Sequence, residues 1–97
     1  MVSHADDLTI EYTEDDIIVV KELDKRVLTK RGGWVTVIYK HQDWDRRKED
    51  YGPVKFSIRR YCKRNDVYRQ QSKFNISNAK QAQDLIEVLK EWAGEAE

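Results

Sequence analysis

The chain has 97 residues, 37% of them charged and 39% apolar, and its 18 Lys and Arg balance its 18 Asp and Glu. That length fits one small domain, which buries only about 60 to 65% of its unfolded surface, so a partner subunit that completes the core is expected. A single cysteine, Cys62, excludes an internal disulfide or a cysteine metal cluster. The lack of a long apolar run or apolar leader argues against a membrane span or a secretory signal. The expected location is therefore intracellular: cytoplasm or nucleoid in a prokaryote, nucleus in a eukaryote.

The balance of charge hides a separation. Residues 1–20 carry six acids and no Lys or Arg, residues 21–73 have a net charge of +9, and residues 74–97 have a net charge of −3. Such blocks let one surface bind a polyanion while the total stays neutral.

In chain order, residues 1–16 read as an acidic, partly disordered arm, in which Leu8, Ile10 and Tyr12 alternate with Thr9, Glu11 and Thr13 as a short edge strand or the end of the arm, with a turn at residues 13–16. A long irregular strand or a hairpin follows over residues 17–31, with a bulge near Asp24. Gly32 and Gly33 tolerate positive φ and mark a turn. Residues 34–41 form a strand that places Val35, Val37 and Tyr39 on one face and Trp34, Thr36, Ile38 and Lys40 on the other. Apolar groups on both faces make it a central strand. Residues 42–52 read as an exposed polar loop, with Trp44 and Tyr51 as packing anchors or base-stacking groups.

The next strand begins after Pro53. Val54, Phe56 and Ile58 alternate with Lys55, Ser57, Arg59, Tyr61 and Lys63, giving an apolar back and a cationic, aromatic front. Arg60 falls on the apolar side. Residues 63–66 form a turn and residues 67–76 a last strand. Ser77 is the expected cap of a helix over residues 78–92, whose apolar stripe runs through Ala82, Leu85, Ile86, Leu89 and Trp92. Gly94 ends the pattern before an acidic tail, residues 94–97. The fold class is α+β: a curved antiparallel sheet of about four strands, then a C-terminal helix (ββββ-α), spanning residues 17–93 and dimeric.

Catalysis has little to build on. His4 and His41 are the only histidines, Asp43 and Asp45 sit beside Arg46 and Arg47, and no phosphate-cradling glycine loop is present. No catalytic residue, metal ligand or cofactor is expected. Lys and Arg with interleaved Tyr and Trp suit nucleic acid better: cations meet phosphates, and rings stack on unpaired bases. The candidate interface is Lys30, Arg31, Trp34, Lys40, Lys55, Arg59, Tyr61, Lys63, Arg69 and Lys73.

The order Lys30-Arg31-Gly32-Gly33-Trp34, then Lys55-Phe56-Ser57-Ile58-Arg59-Arg60-Tyr61, then Lys73-Phe74-Asn75-Ile76-Ser77 and a helix, resembles the single-stranded-DNA-binding domain of the transcriptional positive cofactor four family, including its small bacterial relatives. The resemblance covers about residues 17–92. It implies a homodimer in which helices and strands meet, and sheets that present grooves to unwound DNA. It also implies phosphate contacts at Lys30, Arg31, Lys55, Arg59 and Lys73, with Trp34 and Tyr61 as stacking or groove-wall residues. Two features depart from the pattern: Tyr68-Arg69-Gln70-Gln71-Ser72-Lys73 stands where many relatives carry glycines, and the acidic N-terminal stretch is additional and able to compete with DNA. The expected function is non-enzymatic binding of single-stranded DNA with little sequence preference, in support of transcription, replication or repair. The alternatives are an RNA or duplex binder, and a protein-interaction module whose basic face meets an acidic partner.

Overall fold

In the computed structural model, which describes residues 3–95, three two-residue turns set the hairpins. Each has positive φ at both central residues: Asp15 and Asp16 (52° and 64°), Gly32 and Gly33 (55° and 86°), Asn65 and Asp66 (52° and 63°). This turn matches the right-handed twist of the strands it joins. The turns connect β1 (Tyr12–Glu14) to β2 (Ile17–Arg31), β2 to β3 (Trp34–Asp45), and β5 (Lys55–Arg64) to β6 (Val67–Ile76).

The sheet is antiparallel in the order β1-β2-β3-β5-β6, with the short β4 (Asp50–Tyr51) paired to the end of β3. It has six strands rather than the expected four or so, and β3 is central as expected. The additional strands are β1, drawn from the acidic arm, and β4, in the segment expected to be an exposed loop. That loop is shorter because Trp44 pairs with Tyr51 and their rings meet edge to face at 5.2 Å. The Tyr51 hydroxyl also donates to the Ile18 carbonyl at 2.9 Å, so Tyr51 is a packing anchor.

The sheet curves into a half-barrel. The register leaves Val19, Leu23 and Leu28 of β2 and Gln71 of β6 without a directly opposite partner. Each such bulge bends its strand, adds twist and swaps the faces of the residues beyond it. The Leu23 bulge adjoins Asp24, where the sequence places it.

The inner face holds the core. Val35, Val37, Tyr39 and Ser57 have no exposure, and Tyr61 and Tyr68 are buried beside them. Their cover is the N-terminal segment, where a 3-10 turn at Ala5–Asp7 leads to Leu8 and Ile10 and all three apolar side chains are buried. The Lys25 ammonium donates to the backbone carbonyls of Asp6 and Leu8, and the Thr9 hydroxyl donates to Glu22 at 2.7 Å. The stretch read as a loose acidic arm is therefore, over residues 5–14, part of the domain. Asp6 and Asp7 face solvent while Ala5, Leu8 and Ile10 fill the inner face, so the segment is acidic outside and apolar inside.

Helix α1 (Ala79–Glu95) runs one residue past Gly94. Its cap is Asn78 rather than Ser77: Asn78 Oδ1 accepts from the Gln81 backbone N–H at 2.8 Å, and Gln81 Oε1 accepts in return from the Ser77 N–H at 2.9 Å. No helix residue is buried. The helix leans over the outer face and leaves an apolar groove of about 350 Å³ between Ile38, Phe56, Ile58 and Ile76 of the sheet and Leu85 and Leu89 of the helix.

Two outcomes are expected. Leu8→Ala leaves a cavity in the inner core and costs roughly 2–5 kcal/mol in a urea titration; a loose arm would cost nothing. Burial, then the hydroxyl contact with Tyr61 at 2.9 Å, raise the ionisation of Tyr39 far above the usual tyrosine range; Glu22 adds to this and Arg59 opposes it. The folded state keeps a neutral phenol that the unfolded chain ionises near about pH 10, so this stability is intact below about pH 10 and falls as pH rises further. Tyr39→Phe should flatten that alkaline decline, compared by urea titration at about pH 9 and about pH 11.

Candidate nucleic-acid interface

Strand register decides which of the ten candidate residues share a surface. On the inner side lie Lys30, opposite Val35; Lys55, opposite His41; Arg59, opposite Val37 and Lys73; Tyr61, opposite Val35; and Lys63, opposite Tyr68. On the outer side lie Arg31, opposite Trp34; Lys40, opposite Phe56; and Arg69, opposite Cys62. The candidates thus form two groups rather than one front. Strict alternation along β6 keeps Arg69 with Lys73, but the bulge at Gln71 puts them on opposite faces.

The inner group is largely engaged. Tyr61 is 5% exposed and hydrogen-bonded to Tyr39, so in this arrangement its ring is packed inside the domain rather than offered to a base. Arg59 donates from Nε to Ser57 Oγ at 3.2 Å and from a terminal nitrogen to Gln70 Oε1 at 3.0 Å. Lys55 pairs with Asp43 at 3.2 Å. The Lys63 ammonium sits 5.4 Å from the centre of the Tyr68 ring. Lys30 and Lys73 are exposed.

The outer group is more open. Arg31, Trp34, Cys62 and Arg69 stand in one row across β2, β3, β5 and β6. In the next row Arg60 stacks over the Trp34 indole, 4.7 Å from its centre. Sequence reading left Arg60 out because it breaks the apolar side of β5. Its signal was that Trp34 shares this side, and an arginine can lie flat on an indole. Trp34 remains 39% exposed. Among the described residues, none of Arg31, Arg60 and Arg69 meets a carboxylate. Neighbouring strands are about 4.8 Å apart, so the row from Arg31 to Arg69 spans roughly 14 Å.

The fold sets this end of the sheet tightly. Gly33 adopts φ of 86°, and its carbonyl accepts from the Lys63 backbone N–H at 2.8 Å, locking the β2–β3 turn to β5. A side chain at Gly33 would strain that φ.

Sequence reading also missed a polar cluster at the other end of the inner face. His41 and Asp43 lie two residues apart on β3 and therefore share a face, next to Lys55. The only sequence signal was that spacing, and a buried histidine could not be told from a solvated one. No group of three or more His, Cys, Asp or Glu among the described residues is arranged to hold a metal, and no described helix is long and apolar enough to cross a membrane. No protein-family model, curated protein or solved structure matches the chain.

Proposed function

We propose that the protein binds single-stranded nucleic acid without strong sequence preference, through the outer row centred on Trp34. The observation that carries this reading is an indole stacked by Arg60 and faced by Arg31, with Arg69 two strands away in the same row, none of the three arginines having a carboxylate partner among the described residues. Guanidinium groups meet phosphates, and a half-exposed indole with a stacked guanidinium offers flat surface to an unpaired base. The binding is non-covalent. Lys30 lies at the same end of the sheet on the inner side, and the resemblance to positive cofactor four domains fits the same ligand class.

The second part of the proposal is a homodimer through the helix and the outer sheet face. Ile86 and Leu89 are each 53% exposed, Trp92 is 63% exposed, and Phe74 on the adjoining strand is 57% exposed. A 17-residue helix with no buried residue gains little from tertiary packing, which supplies most helix stability in proteins. A second copy supplies the missing apolar contact, with the two helices crossing over the paired grooves.

Anisotropy titration of a mixed-sequence oligonucleotide and its duplex, at several salt concentrations, tests the first part. The single strand should bind more tightly. Each of Arg31→Gln, Arg60→Gln and Arg69→Gln should weaken all sequences alike and reduce the salt slope by about 0.7. Trp34→Leu should cost about 1–3 kcal/mol at every salt concentration. Binding that ignores all four substitutions would rule out this surface. For the dimer, sedimentation should show two copies for the native chain and one for Leu89→Glu; a monomeric native chain at micromolar concentration contradicts the interface.

A further inference from the structure

We infer that the domain associates with further copies of itself head to tail, with Arg64 at the cationic end of one copy seated in an apolar groove beside Trp44 at the opposite end of the next. Strand pairing separates the two ends. At one, β2 and β5 finish and β3 and β6 begin, and residues 30–33 and 63–66 hold four cations and one acid, a net of +3. At the other, residues 14–16 and 45–50 hold six acids and three cations, a net of −3. The chain as a whole is neutral, so no net charge keeps copies apart while the unlike ends attract.

The groove, of about 500 Å³, has an apolar wall of Ile17, Val19 and Trp44, edged by the exposed Glu14, Asp15, Arg46 and Glu49. Ile17 is 39% exposed, and Tyr51 meets the Trp44 ring edge to face, which fixes the indole. Arg46 pairs with Glu14 at 3.7 Å. Asp15 and Glu49 have no cationic partner among the described residues, and the lining carries a net charge of −2.

Charge selects the occupant. Arg64 is the last residue of β5, exposed beside the Asn65-Asp66 turn and without a carboxylate partner among the described residues. It belongs neither to the Trp34 row nor to the helix contact. The bond from the Lys63 N–H to the Gly33 carbonyl holds its turn beside the Gly32-Gly33 turn, so the two tips form one blunt cationic end. A guanidinium lies flat on an indole and pairs with carboxylates, while its methylene stem covers apolar wall. A two-fold contact between like ends would set +3 on +3 or −3 on −3. The contact is therefore between unlike ends, and it repeats into an open chain of copies. Being small and charged, it belongs to the weak, salt-sensitive class of interface.

The test is sedimentation equilibrium of the full chain carrying Leu89→Glu, which removes the helix contact, without nucleic acid and at chain concentrations up to about 1 mM. It compares about 0.01 M with about 1 M salt, where charges are screened beyond about 30 Å and about 3 Å. The mass should rise with concentration at low salt and stay that of one chain at high salt. Glu49→Lys or Arg64→Glu, each checked for an unchanged circular dichroism spectrum, should weaken association about tenfold or more. Mixing these two variants should then give pairs and nothing longer, because the first keeps an intact cationic end and the second an intact groove. A single-chain mass at every concentration in low salt overturns the contact. So does association that ignores both reversals, or a mixture that stays monomeric. None of these results bears on the Trp34 row or on the helix contact, which are read at the native Leu89.

Discussion

The constraint on which the structure depends is the burial of Ala5, Leu8 and Ile10 against the inner face of the sheet. A sheet whose inner face carries Val35, Val37, Tyr39, Tyr61 and Tyr68 must cover it. The covering element is the N-terminal segment, not the helix. Lys25 fastens it by donating to two of its backbone carbonyls, those of Asp6 and Leu8. Burial of three apolar side chains, at about 1.5–3 kcal/mol for a large one, outweighs the ordering of a short segment only because the sheet curves around it.

Two consequences follow from that cover. The aromatic members of the inner face, Tyr39 and Tyr61, become core residues, and their hydroxyls satisfy each other. The helix, relieved of closing the core, presents an apolar stripe beside an apolar groove on the outer face. The proposed division of labour rests on these two facts: the inner face makes the domain, while the outer face carries both the proposed subunit contact and, at its far end, the arginine row.

Much of this fold was legible. Alternation gave the correct faces of β3 and β5, and the paired turn residues Gly32-Gly33 and Asn65-Asp66 announced their hairpins. The last strand, residues 67–76, fell where its pattern placed it. What alternation could not give was which face is buried. Lys55, Arg59 and Lys63 make the inner side read as polar, yet long cationic side chains run along its edges while Tyr39 and Tyr61 fill its centre. The alternation of Leu8 and Ile10 with Thr9 and Glu11 was visible, but the acids that dominate the composition of the segment hid its role as the cover of the core. The candidate site divided because Arg31, Trp34 and Lys40 alternate onto the side opposite Lys30, Lys55, Arg59 and Tyr61, and because one unpaired residue, Gln71, turns Arg69 away from Lys73. Arg60 was set aside as an exception on an apolar side, and became the group stacked on Trp34.

The most direct measurement is a nuclear magnetic resonance map of the labelled protein with a mixed-sequence single strand at about 0.15 M salt, where exposed charges separated by more than about 8 Å are largely screened. The account predicts shifts at the Trp34 indole N–H and at Arg31, Arg60 and Arg69, with Tyr39, Tyr61 and Leu8 unmoved. Shifts confined to the inner face and residues 5–10, or no shift at Trp34, would contradict it.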